Sequence, residues 1–166
     1  NRYCSSSLQA IRMAAHAIKA GEGDVFVCAG VETVSRYVNG MADTGPHNPL
    51  FADAEARTKD LSNGADSWEP FPGLPDVYIA MGQTAENVRL KEGVTRREMD
   101  EFATRSQQLA VANQENGFWE AEITPITTPS GTVVTKDDGP RPGTTVEKLA
   151  ELKPAFRPDG EVTAGN

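Results

Sequence analysis

The residue with the most chemical potential is Cys4. It stands where a loop becomes a helix, in Asn1-Arg2-Tyr3-Cys4-Ser5-Ser6-Ser7. Beyond it, apolar residues recur at Leu8, Ile11, Ala15 and Ile18, the spacing of one helix face. The thiol therefore sits at or near the N-cap of the first helix, close to backbone N–H groups that have no helical partner. Those groups and the positive end of the helix dipole favour a thiolate. They also suit a developing oxyanion. Serines fit here because their hydroxyls cap and their small side chains leave the sulfur accessible. A lone cysteine is commonly just a small buried hydrophobe, and position alone does not separate the two roles.

The other groups that could act are sparse. Cys28 lies in the apolar run Val25-Phe26-Val27-Cys28-Ala29 and reads as a core residue. Two cysteines make neither a disulfide framework nor a zinc site. His16 falls inside the first helix and reads as structural. His47 lies in the turn Gly-Pro-His-Asn-Pro and reads as solvated. Neither is placed as a base would need to be.

The elements that must position Cys4 can be read in order. The first helix spans about residues 5–20, with Gly21 ending it. Residues 24–30 are a short continuous apolar run, the pattern of a strand buried on both faces of a parallel sheet. Helix into buried strand indicates an α/β layer. Residues 36–77 lack periodicity and are rich in Gly, Pro, Asp and Asn, and a loop of that length is usually functional or disordered. Within it, residues 53–66 read as polar and exposed. The segment Trp68-Glu69-Pro70-Phe71-Pro72 reads as a packed, rigid excursion.

A second helix is expected over residues 78–91, ended by Gly93. Thr95-Arg96-Arg97-Glu98 spells a capping box. It opens a helix with Met99, Phe102, Ala103, Ser106, Leu109 and Ala110 on one face, stopped by Asn116-Gly117. Short extended pieces follow around Trp119–Ile126 and Gly131–Val134. Next come a turn-rich loop at 137–143, a short helix over 146–152, and a strand opening at 161–164.

The 166 residues suit a single domain. A formal charge of −8 argues against a nucleic-acid partner. No apolar run is long enough to span a bilayer, and no secretory signal is visible. Two unpaired cysteines fit a reducing cytoplasm.

Four ordered motifs carry a family resemblance. They are Asn1-Arg2-Tyr3-Cys4-Ser5-Ser6-Ser7-Leu8-Gln9-Ala10-Ile11, Gly30-Val31-Glu32-Thr33-Val34-Ser35, Met81-Gly82-Gln83-Thr84-Ala85-Glu86-Asn87, and Lys153-Pro154-Ala155-Phe156 leading to Val162-Thr163-Ala164-Gly165-Asn166. Together they resemble the thiolases, the acyl-CoA C-acyltransferases. Ser7 departs from the glycine usual there, and residues 36–77 match weakly.

The resemblance implies an α/β, thiolase-type αβαβα layered fold. Residues 1–35 would belong to the N-terminal core, 36–160 to an inserted loop domain for coenzyme A binding and subunit contacts, and 161–166 to the return into the core. It implies thiolytic cleavage of 3-ketoacyl-CoA, or the reverse Claisen condensation, through an acyl-Cys4 intermediate. The other catalytic groups, a histidine, an asparagine and a second cysteine, would come from motifs not found in these residues, so the 166 residues alone should not turn over.

Coenzyme A and acyl-CoA would be substrates, with no metal and no tightly bound cofactor, in a homodimer or homotetramer. Arg141 matches the family arginine near the nucleotide end, and Lys148 could reach a phosphate. Leu74, Met81, Phe156 and Ala164 match positions lining the pantetheine and acyl channel. The competing expectation is a non-catalytic thiolase-like protein that holds coenzyme A or assembles with a partner. Retention of Cys4 counts against it.

Overall fold

The computed structural model describes residues 2–31 and 45–166. It divides into two compact units, residues 1–46 and 47–166. The expected boundary at 35/36 and the motif residues 32–35 lie outside the described residues.

In the first unit a 3-10 turn, Tyr3–Ser5, runs directly into helix α1, Ser6–Ala20. Gly21 ends α1 at φ +78, and its N–H reaches back to Ala17 and Ile18 carbonyls, the left-handed cap that glycine adopts without penalty. The expected strand at 24–30 does not form. Val25 and Val27 are 89% and 97% exposed. Extended backbone becomes a strand only when a neighbour accepts from its N–H groups and donates to its C=O groups, and none of the described residues does so. The chain nevertheless returns to the helix start. A Cβ on Gly30 would meet Ser7 Oγ at 2.6 Å and Ser7 N at 3.0 Å. A glycine at position 30 is thus what lets a serine stand at position 7. The apolar stripe of α1 is real in spacing, but Leu8, Ile11 and Ile18 are all exposed.

The second unit holds four more helices and a hairpin. A 3-10 turn, Pro49–Phe51, with Asn48 Oδ1 accepting from Leu50 N at 3.0 Å, leads into α2, Ala52–Leu61. This helix occupies the stretch expected to be a polar loop. It is short and weakly amphipathic, and Ala54 is the residue it buries. Its partner is the aromatic excursion: the Arg57 guanidinium sits 5.9 Å from the Trp68 ring centre and 5.3 Å from that of Phe71. It also donates to the Glu69 carbonyl. Cation–π contact and hydrogen bond together fix the proline-flanked segment.

Helix α3 spans Met81–Glu92 and ends at Gly93, φ +67. It starts three residues later than the expected Tyr78. Asp76 Oδ1 accepts the Tyr78 N–H at 2.9 Å, a local turn that competes with helix. Ala80 is extended. Helix α4, Arg96–Glu115, opens with the expected capping box and stops at Asn116 and Gly117. Its inner face differs from expectation. Phe102 and Leu109 are exposed, while Asp100 and Thr104 are buried. Three elements follow: a 3-10 turn at Phe118–Ala121 in place of an extended piece, the antiparallel pair β1 (Ile126–Thr127) and β2 (Val133–Val134), and helix α5, Val146–Ala150. The pair registers Ile126 opposite Val134.

Residues 161–164 are not a strand. Val162 and Thr163 are nonetheless buried. Gly165 lies so close to α5 that a Cβ would fall 2.6 Å from Leu152 and 2.7 Å from Leu149.

Candidate functional site

Around Cys4 the chain is bent sharply. Tyr3 adopts φ +49, the only positive φ of a non-glycine among the described residues. A bulky residue there is strained, and such strain is characteristic of a side chain being presented at a turn. Ser6 fastens the turn: its Oγ accepts from Arg2 N at 3.0 Å and donates to the Tyr3 carbonyl at 2.8 Å. Ser5 N bonds the Arg2 carbonyl at 3.0 Å. The serines thus play different parts from those expected. Ser5, the N-cap residue of α1, makes no side-chain cap, and the first amide of the helix, Ser6 N, bonds the Tyr3 carbonyl. The Cys4 thiol is free and exposed, on the turn before α1. Cys28 is half-buried. His16, midway along α1, is exposed.

The other expected site residues all lie in the second unit. Met81 is the first residue of α3, 74% exposed. Phe156 is brought against the next residue: a Cβ on Gly82 would stand 2.1 Å from its ring. Gln83 Nε2 donates to the Phe156 carbonyl at 2.8 Å. The start of α3 therefore gathers Met81 and Phe156, which are far apart in sequence. Leu74 is exposed on the loop leading to α3. Ala164 is exposed beside Gly165, which packs on α5.

Arg141 and Lys148 flank one tight turn. The Arg141 N–H donates to Gln107 Oε1 at 2.8 Å, and its carbonyl accepts from Thr144 Oγ1 at 2.8 Å. Its guanidinium has no partner among the described residues. Lys148 begins its hydrogen bonding at home, with Nζ 2.7 Å from the Gly143 carbonyl. A cation on a pinned backbone and a second one a turn away can receive an anion.

His47 is not simply solvated. Its ring stacks on Tyr78 at 3.9 Å, nearly parallel, and Nδ1 lies 2.7 Å from Glu55 Oε2. This arrangement ties the start of the second unit to α2 and to the loop before α3. Sequence reasoning also missed a cleft of about 430 Å³, walled by Trp68, Phe71, Ile79 and Val88, with Arg57 and Lys91 among its lining residues. The Trp-Glu-Pro-Phe-Pro cluster was its signal. A second omission is a buried set of charges. Glu86 and Asp100 are 0% and 1% exposed, each held by an arginine of its own helix, Arg89 and Arg96. Arg157 is 3% exposed and binds Gln83 and Asn87. Burial pushes the Arg157 pKa below its ordinary value, and Glu86 and Asp159 partly offset this. No group of metal-ligating side chains is gathered among the described residues.

A bent, strained turn thus presents an exposed cysteine at a helix start. The chain belongs to the thiolase family: the profile of the thiolase N-terminal domain matches residues 1–166. It is 42% identical over 175 aligned residues to the β-ketoadipyl-CoA thiolase of Acinetobacter baylyi, covering 100% of this chain and 41% of that one. It is 41% identical to the peroxisomal 3-ketoacyl-CoA thiolase of Homo sapiens, covering 100% and 37%. Among solved structures, the dimeric peroxisomal thiolase of Saccharomyces cerevisiae superposes with a TM-score of 0.74 at 34% identity, over 98% of this chain and 38% of that one. Human mitochondrial 3-ketoacyl-CoA thiolase in complex with CoA gives 0.64 at 29%, over 98% and 39%. The expected fold class is thus met. The chain spans about two-fifths of the length of these relatives. No helix among the described residues is long and apolar enough to cross a membrane.

Proposed function

We propose that this chain carries the nucleophile of an acyl-CoA C-acyltransferase that cleaves 3-ketoacyl-CoA with coenzyme A, or runs the reverse Claisen condensation. The observation that carries the proposal is the turn at Cys4, strained at Tyr3 and fastened by Ser6, which presents an exposed thiol at the start of α1. In this reading Cys4 Sγ attacks the thioester carbonyl. The carbonyl oxygen gathers negative charge facing the helix start, where N–H groups and the helix dipole stabilise it. The carbon–sulfur bond of the substrate breaks, coenzyme A leaves as a thiolate that takes up a proton, and the acyl group remains on Cys4. Acyl-cysteine is itself a thioester, so the exchange is nearly balanced in energy.

The same proposal assigns Arg141 and Lys148 to the phosphates of coenzyme A, and Leu74, Met81, Phe156 and Ala164 to its pantetheine and acyl parts. Exposed apolar side chains at the start of α3 and two cations flanking one turn support that division of labour. It keeps residues 1–35 and 161–166 in the catalytic core and 36–160 in a loop domain. It places the protein in the cytoplasm, as a homodimer or homotetramer that degrades fatty acyl chains without a metal.

The test is acyl transfer to the protein. Incubation with acetyl-CoA should add one acetyl group, mapped to Cys4 by peptide mass spectrometry and absent in Cys4→Ala. Acetylation at Cys28 alone, or none under conditions where Cys4 reacts with an alkylator, would overturn the proposal.

A further inference from the structure

We propose that the buried carboxylates of Glu86 and Asp100 are positioning residues for segment 156–166, the stretch that presents Phe156 and Ala164. The inference rests on the acyl-CoA reading of that segment. The segment contains no regular strand or helix, and its backbone bonds are a single tie, Ala155 N to the Val162 carbonyl at 2.9 Å, and the turn from Gly160 N to the Arg157 carbonyl at 3.1 Å. Side chains supply the rest. From α3, Glu86 Oε1 accepts the backbone N–H of Glu161 at 2.9 Å and of Val162 at 2.8 Å. Its Oε2 accepts from Arg89 Nε at 2.9 Å. From α4, Asp100 Oδ1 accepts from Asn166 Nδ2 at 2.7 Å, while Arg96 Nε reaches both carboxylate oxygens. Asn166 passes that hold on, with Oδ1 accepting Thr163 N at 2.8 Å.

Two features make this positioning rather than plain stability. The ion pairs with Arg89 and Arg96 do not by themselves explain the arrangement, since a buried ion pair is weak as a source of net stability. The bonds to the segment's backbone orient it. One carboxylate oxygen receiving two successive N–H groups fixes the direction of those peptides. Gly160 is fitted to that oxygen, since a Cβ there would stand 2.3 Å from Glu86 Oε1. With the backbone held at 161–162 and at 163–166, Ala164 remains outward while Val162 and Thr163 are buried. Phe156 is held at the other end, where Gln83 binds both its carbonyl and Arg157.

The experiment compares Glu86→Gln with wild type and with the exposed control Glu101→Gln, reading amide hydrogen exchange by mass spectrometry and coenzyme A affinity by calorimetry. Expected is exchange about tenfold faster across 155–166 with α4 unchanged, because the loss is local. Coenzyme A affinity should fall by about tenfold in Glu86→Gln and stay at the wild-type value in the control. Should Glu86→Gln not fold, Asn166→Ala leaves Glu86 in place, removes the Asp100 contact together with the bonds to Thr163 N and the Glu161 carbonyl, and should loosen 161–166 in the same selective way. A uniform rise in exchange over α4 and 155–166, or no rise in 155–166, would overturn the positioning role. Selective loosening in a protein whose wild type binds no coenzyme A would support the anchoring and sink the acyl-CoA reading instead.

Discussion

The ring of Phe156 fills the space that a side chain at position 82 would need: a Cβ built on Gly82 falls 2.1 Å from both Cδ1 and Cε1. Position 82 lies inside α3, where replacing glycine by alanine ordinarily gains about 0.5–1 kcal/mol. Here the clash should win. Gly82→Ala is expected to lose about 1–3 kcal/mol as Phe156 is displaced, the usual cost of overpacking. Urea denaturation followed by Trp fluorescence decides the sign. A stabilised variant would mean that Phe156 does not rest on α3.

Cys4 and Cys28 should differ in reactivity. Cys4 is exposed on the turn before α1, and Cys28 is half-buried. Reactivity follows thiolate character and access. With limiting iodoacetamide, the adduct should map to Cys4 at least about fivefold over Cys28. Faster labelling of Cys28 would remove the basis for Cys4 as nucleophile.

What the sequence disclosed depended on the range of the interaction. Gly21, Gly93 and the Thr95–Glu98 box were legible because caps are encoded within four residues. The strand at 24–30 was misread because its apolar run needs neighbouring strands, and none of the described residues pairs with it. Tyr78 lies outside α3 because its N–H donates to the Asp76 carboxylate, a local bond that outweighs helical patterning. The buried faces of α3 and α4 were missed for a different reason. Charged residues are expected outside, and Glu86 and Asp100 are inside only because Arg89, Arg96 and the backbone of 161–166 reach them from elsewhere in the chain. The motif around Cys4 is legible as a string, while the φ of Tyr3 and the role of Ser6 are set by how the folded chain turns there.

The capping box gives a pH dependence with a definite sign. Glu98 is held below its ordinary pKa of 4.5, first by the Thr95 N–H and then by the Thr95 hydroxyl. A carboxylate depressed in the folded state adds stability that is fully present above the unfolded value. That stability is lost as pH falls through the lower folded value. Glu98→Gln should therefore be less stable than wild type at neutral pH, with the difference shrinking below pH about 4.5. Thr95→Ala should cost about 1 kcal/mol at any pH above that window. A Glu98→Gln deficit that grows on acidification would contradict the assignment.

Arg141 offers the sharpest test of the coenzyme A assignment. Its backbone is fixed at both ends, by Gln107 on α4 at 2.8 Å and by Thr144 at 2.8 Å, and its guanidinium has no partner among the described residues. A cation presented this way loses little backbone freedom when it meets a phosphate, so its contact should register nearly in full. Lys148 is different, because its ammonium already donates to the Gly143 carbonyl. Arg141→Ala should weaken coenzyme A binding by about 1.5–3 kcal/mol, the usual size of a charge-assisted hydrogen bond, and Lys148→Ala by less. Dephospho-coenzyme A lacks the ribose phosphate. If Arg141 reads that group, its removal from the ligand and the loss of Arg141 should not add, and Arg141→Ala should leave dephospho-coenzyme A affinity within about twofold of wild type. Calorimetry on the four combinations completes the cycle. Equal weakening of both ligands would move Arg141 to the diphosphate or to no phosphate at all. A larger effect at Lys148 than at Arg141 would reverse the two assignments.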